Sequence, residues 1–189
     1  MTWFTVLIAV VGLERLAELV VSKRNAAWSF ARGGVESGQR HYVVMVVLHT
    51  GLLVGALVEV WVRQPAFVPA LGWTMLALVV AAQALRWWCI TTLGRQWNTR
   101  VIVVPGLEPV TTGPYRRLTH PNYLAVVIEG FALPLVHSAW ITALVFTVVN
   151  AALLTVRIRV ENRALDAMST SAPAAPSSRP TPPSAEATP

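Results

Sequence analysis

A chain of 189 residues suffices for one domain of ordinary size, yet 54% of it is hydrophobic and only 13% charged, with a mean hydropathy of +0.55. Soluble domains carry roughly 25% charged residues, and this charge is too little to cover the large relative surface of a small soluble domain, which argues for lipid as the main solvent. The single cysteine, Cys89, excludes an intrachain disulfide framework and a multi-cysteine zinc site, and no His-Glu-x-x-His spacing points to a metal.

The first apolar run, Trp3 to Val21, carries Glu14, Arg15 and Glu18. It lacks the basic n-region and small-residue cleavage site of a secretory signal, so a retained helix is predicted. Glu14 and Glu18 share a helix face, with Arg15 three residues before Glu18 as an ion partner. Ionisable groups in a span face the protein interior, and a helix-to-helix clamp is the preferred reading of this cluster. Two uncharged runs follow, His41–Val58 and Gln64–Leu85, of 18 and 22 residues. Both approach the roughly 20 residues that a spanning helix needs. Within the first, Gly51 and Gly55 form a small-xxx-small pair suited to close helix packing, and His49 is expected to hydrogen-bond across helices.

A third uncharged run, Gly130–Val156, has 27 residues but contains Pro134 and His137-Ser138. It is predicted as the end of a short helix begun near Tyr123, a tight turn, and a second helix from about Ala139 to Arg157. From Ser169 the chain is rich in Pro, Ala, Ser and Thr, and a disordered tail is expected. The expected division is residues 1–85 as N-terminal membrane helices, 86–168 as a core with a loop and helical hairpin, and 169–189 as the tail. The fold class is therefore all-α integral membrane, with about five transmembrane helices.

Thirteen of the 15 basic residues fall in the segments 22–41, 86–117 and beyond 156, which five helices place on one side. The positive-inside rule then puts the C-terminus and these loops in the cytoplasm of a multi-pass cell-membrane protein. Basic loops at a membrane face account for the net charge of +6, and no nucleic-acid partner is expected.

The longest non-apolar stretch, Gly94 to Tyr123, concentrates chemistry. It includes Gly94-Arg95-Gln96-Trp97, Val101-Ile102-Val103-Val104, Thr111-Thr112-Gly113-Pro114-Tyr115 and Thr119-His120-Pro121-Asn122-Tyr123. Gly113-Pro114 sets a turn, and Pro121 suits the first turn of the following helix. By composition alone this is an aromatic-anchored interfacial loop.

The order of residues says more. Thr-x-Gly-Pro-Tyr, a spacer, His-Pro-Asn-Tyr, a helical hairpin and Arg157-x-x-x-Glu161 together resemble the isoprenylcysteine carboxyl methyltransferase family over roughly Arg86 to Leu165. In the N-terminal half, Glu14-Arg15-Leu16-x-Glu18, Lys23-Arg24-Asn25 and Gly38-Gln39-Arg40-His41-Tyr42 resemble the bacterial branch associated with alkylpyrones and related polyketide lipids. The resemblance implies an integral membrane enzyme that moves a methyl group from S-adenosylmethionine to an oxygen of a lipid-like or polyketide-derived acceptor. It also implies a cofactor site on Val110, Tyr115, His120, Pro121, Asn122, Tyr123 and Glu161. Leu107, Glu108 and Pro109 align with a cofactor-contacting stretch without matching its identities, so backbone contact is implied there. Arg157 falls on the family's substrate-contacting arginine, and Arg157 with Glu161 forms the implied catalytic pair. The chain departs from the family at Thr119, where Arg is common, at Asn162, where an acid is usual, and after Glu161, where an aromatic, glycine-containing stretch is missing.

Positions 157 and 161 are one turn apart and can face one cleft. There Glu161 can hold the cofactor's ammonium or ribose while Arg157 orients an anionic acceptor oxygen. Two rival readings remain at this level. An amine methyltransferase acting on phospholipid head groups shares the fold and cofactor, whereas a structural or transport protein leaves His-Pro-Asn-Tyr and Arg-x-x-x-Glu without a reason.

Overall fold

The structure, a computed structural model, describes residues 2–171; the side chains of Arg40 and of residues 165–171 are outside the description. Five helices carry the chain: α1 (Thr2–Phe30), α2 (Gln39–Arg63), α3 (Pro69–Leu93), α4 (Pro121–Leu135) and α5 (Trp140–Ser171). Three helical stretches, His41–Arg63, Pro69–Gln96 and Trp140–Ala164, are long and apolar enough to cross a membrane. The 15-residue α4 is too short for that, as the sequence suggests, and packs against α3 and α5. Large apolar side chains such as Leu13, Val47, Trp61, Val80 and Leu144 stay exposed around the helices, as expected of a protein solvated by lipid. The boundary expected near residue 86 falls inside α3, and the tail from residue 172 lies outside the described residues.

At one end, Phe4, Ile8 and Val11 of α1 pack with Ala56 and Val60 of α2, Val79 of α3 and Leu133 and Val136 beside the α4–α5 turn. That turn lies where Pro134 and His137-Ser138 predict it. Ser138 takes a left-handed φ of 59°, and His137 is buried among the rings of Trp3, Phe4 and Phe67. The start of α5 is held by Glu59 of α2, whose carboxylate accepts the backbone N–H groups of Ile141 at 3.1 Å and Thr142 at 2.8 Å. A carboxylate on the otherwise unsatisfied first-turn donors is favoured by hydrogen bonding and by the helix dipole. Farther along the hairpin, a Cβ on Gly130 would sit 2.0 Å from the Phe146 ring, so only glycine lets α4 and α5 close to this distance.

Midway along the bundle the clamp predicted from Glu14, Arg15 and Glu18 joins three helices. Arg15 donates to Glu18 at 2.7 Å and to Glu129 of α4 at 3.0 Å, and Arg86 of α3 reaches the same Glu129 oxygen at 2.5 Å. Gln83 bridges Arg15 and Glu14, and the Trp87 indole donates to Glu14. Glu129, with both guanidinium groups on it, is 5% exposed. Opposite charges satisfying one another are what makes such groups tolerable inside a bundle.

Four expectations change. Among the described residues His49 forms no hydrogen bond across helices; its Nδ1 lies 2.8 Å from Met45 O, the carbonyl one turn earlier on its own helix. Only Gly55 of the glycine pair meets another helix, at the Thr142 side chain of α5, while Gly51 faces open space. Beyond Arg157, α5 continues to Ser171, since nothing from Ile158 to Ser171 breaks a helix. Finally, a two-stranded antiparallel sheet appears, β1 (Val35–Ser37) with β2 (Val101–Val103), pairing Glu36 with Ile102. Three-residue strands leave too little periodicity to be read from sequence.

Candidate functional site

The chain between α3 and α4 is tied down by residues of α1. Asn25 donates its side-chain amide to the carbonyls of Gly94 (3.0 Å) and Trp97 (2.7 Å), fixing a 3₁₀ turn at Gly94–Gln96. The Ser22 hydroxyl bonds the Thr99 hydroxyl at 2.7 Å and accepts the Thr99 N–H at 3.0 Å. With β2 held by β1, residues 96–103 become a fixed wall rather than a free loop.

Farther on, Gly113 has φ 55°, and a Cβ there would lie 2.7 Å from Thr92 Oγ1 on α3. Glycine therefore lets the Gly-Pro-Tyr-Arg turn seat on α3, with Tyr115 hydrogen-bonded to Cys89. Burial, then the Cys89 thiol, pushes the Tyr115 phenol well above its ordinary range, so it stays a neutral donor. His120 precedes α4, its carbonyl accepting the Tyr123 N–H at 3.1 Å, and Pro121 fills the first helical position, where no N–H is missed.

These segments enclose a cavity of about 280 Å³, close to the lower bound of about 300 Å³ for small-molecule pockets. At its mouth the Tyr123 hydroxyl donates to Glu161 Oε2 at 2.6 Å. His120 Nδ1 lies 3.7 Å from Glu161 Oε1, and the His120 and Tyr123 rings stack at 5.3 Å. Asn122 Oδ1 also lines the region and is buried without a hydrogen-bond partner. One turn deeper, Arg157 is 6% exposed, donates to the Thr99 carbonyl at 2.9 Å and has its guanidinium 5.9 Å from the centre of the Tyr123 ring. Its Nε has no partner, and among the described residues no carboxylate forms an ion pair with it.

The α5 wall of this cavity is a stripe of Asn150, Leu153, Leu154, Arg157 and Glu161, the i, i+3, i+4, i+7, i+11 pattern of one helix face. At 1.5 Å per residue, Asn150 lies about 10 Å deeper than Arg157 along the axis. Met45, Val46, His49, Thr50 and Leu53 form the facing stripe on α2, and Arg15, Glu18 and Arg86 reach the same space from α1 and α3.

Of the residues named from sequence, Tyr115, His120, Asn122, Tyr123, Arg157 and Glu161 line this one cavity. Pro121 is buried behind them as the start of α4, and Val110 is half-buried in the preceding loop. Leu107, Glu108 and Pro109 line a separate small cleft with Trp28 and Ser29, behind β2. Sequence reasoning missed Asn25, Trp97, Thr99, Glu129 and Asn150. For the last two a signal existed: Glu129 is the one acid in α4, and Asn150 is a polar residue inside a 27-residue uncharged run.

The donor set can hold a cationic, nucleoside-containing cofactor. Glu161 offers a carboxylate to an ammonium or to ribose hydroxyls, the stacked His120 and Tyr123 rings offer faces to an adenine, and the orphaned Asn122 oxygen needs a donor.

Residues 73–167 match the model of the isoprenylcysteine carboxyl methyltransferase (ICMT) family. The chain is 37% identical to the uncharacterized protein YpbQ of Bacillus subtilis over 163 residues, 86% of this chain and 96% of that one. It is 25% identical to an uncharacterized protein of Haemophilus influenzae over 166 residues, 87% of this chain and 96% of that one. No solved structure gives a significant match.

Proposed function

The chain belongs to the isoprenylcysteine carboxyl methyltransferase family, a family of membrane methyltransferases, and from that premise we propose that it transfers a methyl group from S-adenosylmethionine to an oxygen of a lipid-like acceptor at the cytoplasmic membrane face. The observation that carries this reading is the arrangement on α5. Glu161 stands at the cavity mouth with Tyr123 and His120, and Arg157, which forms no ion pair among the described residues, stands one turn inward, where the cavity enters the membrane-spanning part.

S-adenosylmethionine, when bound, supplies an electrophilic methyl group and leaves as a neutral thioether. The protein's task is then positioning and exclusion of water. Glu161, Tyr123, His120 and Asn122 would hold the cofactor, and Tyr115 closes that side as a neutral phenol. Arg157 orients the acceptor oxygen and stabilises negative charge on it, with an attraction strengthened by burial. An amine acceptor is disfavoured, because a buried cation repels a protonated head group. Incubating membranes that contain the protein with methyl-labelled S-adenosylmethionine and a total lipid extract tests the reading. A labelled O-methyl lipid is expected, and labelled methylamine head groups would instead establish the amine acceptor.

A further inference from the structure

Arg157 is a buried cation on a long side chain, and among the described residues no carboxylate pairs with it. Its guanidinium donates to the Thr99 carbonyl at 2.9 Å and lies 5.9 Å from the centre of the Tyr123 ring. We propose that Ser22 and Asn25 of α1 are positioning residues for Arg157, and that through the Thr99 carbonyl they set the direction in which its guanidinium meets the acceptor oxygen. The inference rests on the methyltransferase reading for the acceptor, whereas the chain of hydrogen bonds does not depend on it.

Thr99 lies between the 3₁₀ turn Gly94–Gln96 and β2, whose pairing begins with Val101 opposite Ser37, so it belongs to neither helix nor ladder. Side chains of α1 hold it instead. Ser22 Oγ accepts the Thr99 N–H at 3.0 Å and shares a hydrogen bond with the Thr99 hydroxyl at 2.7 Å. Asn25 Nδ2 donates to the carbonyls of Trp97 at 2.7 Å and Gly94 at 3.0 Å, which fixes the chain just before Thr99. Ser29, one turn on, donates to the Asn25 carbonyl at 3.0 Å. Ser22, Asn25 and Ser29 are spaced by three and four residues, so they share one face of α1, and all three are buried. Polar groups buried in a helix need partners, and Ser22 and Asn25 find theirs on the segment that carries Thr99.

Neither Ser22 nor Asn25 lines the cavity, so an effect of either on a ligand must pass through the segment they hold. Both also precede residues 73–167, the part that matches the family model, so the positioning comes from a helix outside that part. An arginine side chain has many rotamers to lose, and its guanidinium recognises an oxyanion through a rigid planar fork. A carbonyl held still on one terminal nitrogen restricts the fork's rotation, while Nε remains without a partner.

The test compares full-length wild type, Ser22→Ala, Asn25→Ala and Arg157→Ala, and the two double variants that combine Arg157→Ala with either α1 substitution. Calorimetric titration in one detergent uses dodecanoate and dodecanol, which share a hydrocarbon chain and differ in the charge on oxygen. The wild type should prefer dodecanoate by about tenfold or more, the worth of a hydrogen bond to a charged group, and Arg157→Ala should abolish the preference. Ser22→Ala and Asn25→Ala should each shrink it, yet neither should have any effect once Arg157 is gone. Labelled-lipid turnover should follow the same pattern, falling by up to about a hundredfold for a misdirected group, with S-adenosylmethionine affinity unchanged. Ser22→Ala disturbs only the Thr99 contacts and decides the matter alone if Asn25→Ala does not fold. A lowered Tm with wild-type preference and turnover would show that Ser22 and Asn25 only brace the fold. That result, equal effects with and without Arg157, or a preference that survives Arg157→Ala would each overturn the proposal. A wild type whose preference depends on Ser22 and Arg157 but which binds no S-adenosylmethionine would sink the methyltransferase reading instead and leave the positioning chain standing.

Discussion

Replacing Arg157 by alanine should separate stability from function. In the folded protein its guanidinium is 6% exposed, donates one hydrogen bond to the Thr99 carbonyl at 2.9 Å, has an unpartnered Nε and forms no ion pair among the described residues. Losing one hydrogen bond from a charged group costs about 1.5–3 kcal/mol. Removing a buried cation without a counter-ion returns a desolvation penalty of several kcal/mol. The two effects oppose each other, so Arg157→Ala should melt within a few degrees of the wild type or above it. Turnover should behave differently. A charged group aimed at negative charge that develops in the transition state contributes about 2.7–4 kcal/mol, or roughly 10²–10³ in rate. Arg157→Lys should recover part of this, because charge remains while the planar fork is lost. The assay is thermal melting, cofactor affinity by calorimetry and labelled-lipid yield on the same three proteins. A variant that melts far lower while methylating lipid at the wild-type rate per folded molecule would show the arginine to be structural and refute the reasoning.

Glu161→Ala should weaken S-adenosylmethionine binding by about tenfold or more, the worth of a charged hydrogen bond; wild-type affinity by calorimetry would move the cofactor away from Tyr123 and His120. Glu129→Ala strands the Arg15 and Arg86 guanidinium groups that share its carboxylate. Breaking a buried pair costs about 3–5 kcal/mol, which for a chain of this size lowers Tm by roughly 6–20 °C, and an unchanged Tm would show that the network is not needed for folding. For topology, single cysteines replacing Arg32 or Ser177 should be shielded from an impermeant thiol reagent in intact cells, and one replacing Ala66 should be labelled, with buried Cys89 giving little background. The opposite pattern would invert the membrane orientation.

Much of the architecture is legible along the chain because it depends on local rules. Uncharged runs mark helices α2, α3 and α5, Pro134 with His137-Ser138 marks the hairpin turn, and Arg157 and Glu161 share a face because four residues make about one turn. The same holds for residues of the loop between α3 and α4 that converge on the cavity: Gly113 shapes the turn that carries Tyr115, and Pro121 starts the helix that carries Tyr123.

What only the tertiary structure decided depends on partners distant in sequence. Arg15 and Glu129 are 114 positions apart, and nothing in either neighbourhood says that they meet. Asn25 and Ser22 fall in a segment that the sequence reads as a basic loop, yet α1 continues through them to Phe30 and they anchor the wall that carries the Thr99 carbonyl to Arg157. Leu107, Glu108 and Pro109 follow the same loop as Tyr115 but turn behind β2 into another cleft, because β2 pairs with a strand 66 residues earlier. His49 and Asn150 show the limit most clearly. Each reads alone as an isolated polar group in an apolar helix, and only the approach of α2 to α5 places both on one cavity. Periodicity assigns a face to a helix, but which faces meet is set by the packing of the whole bundle.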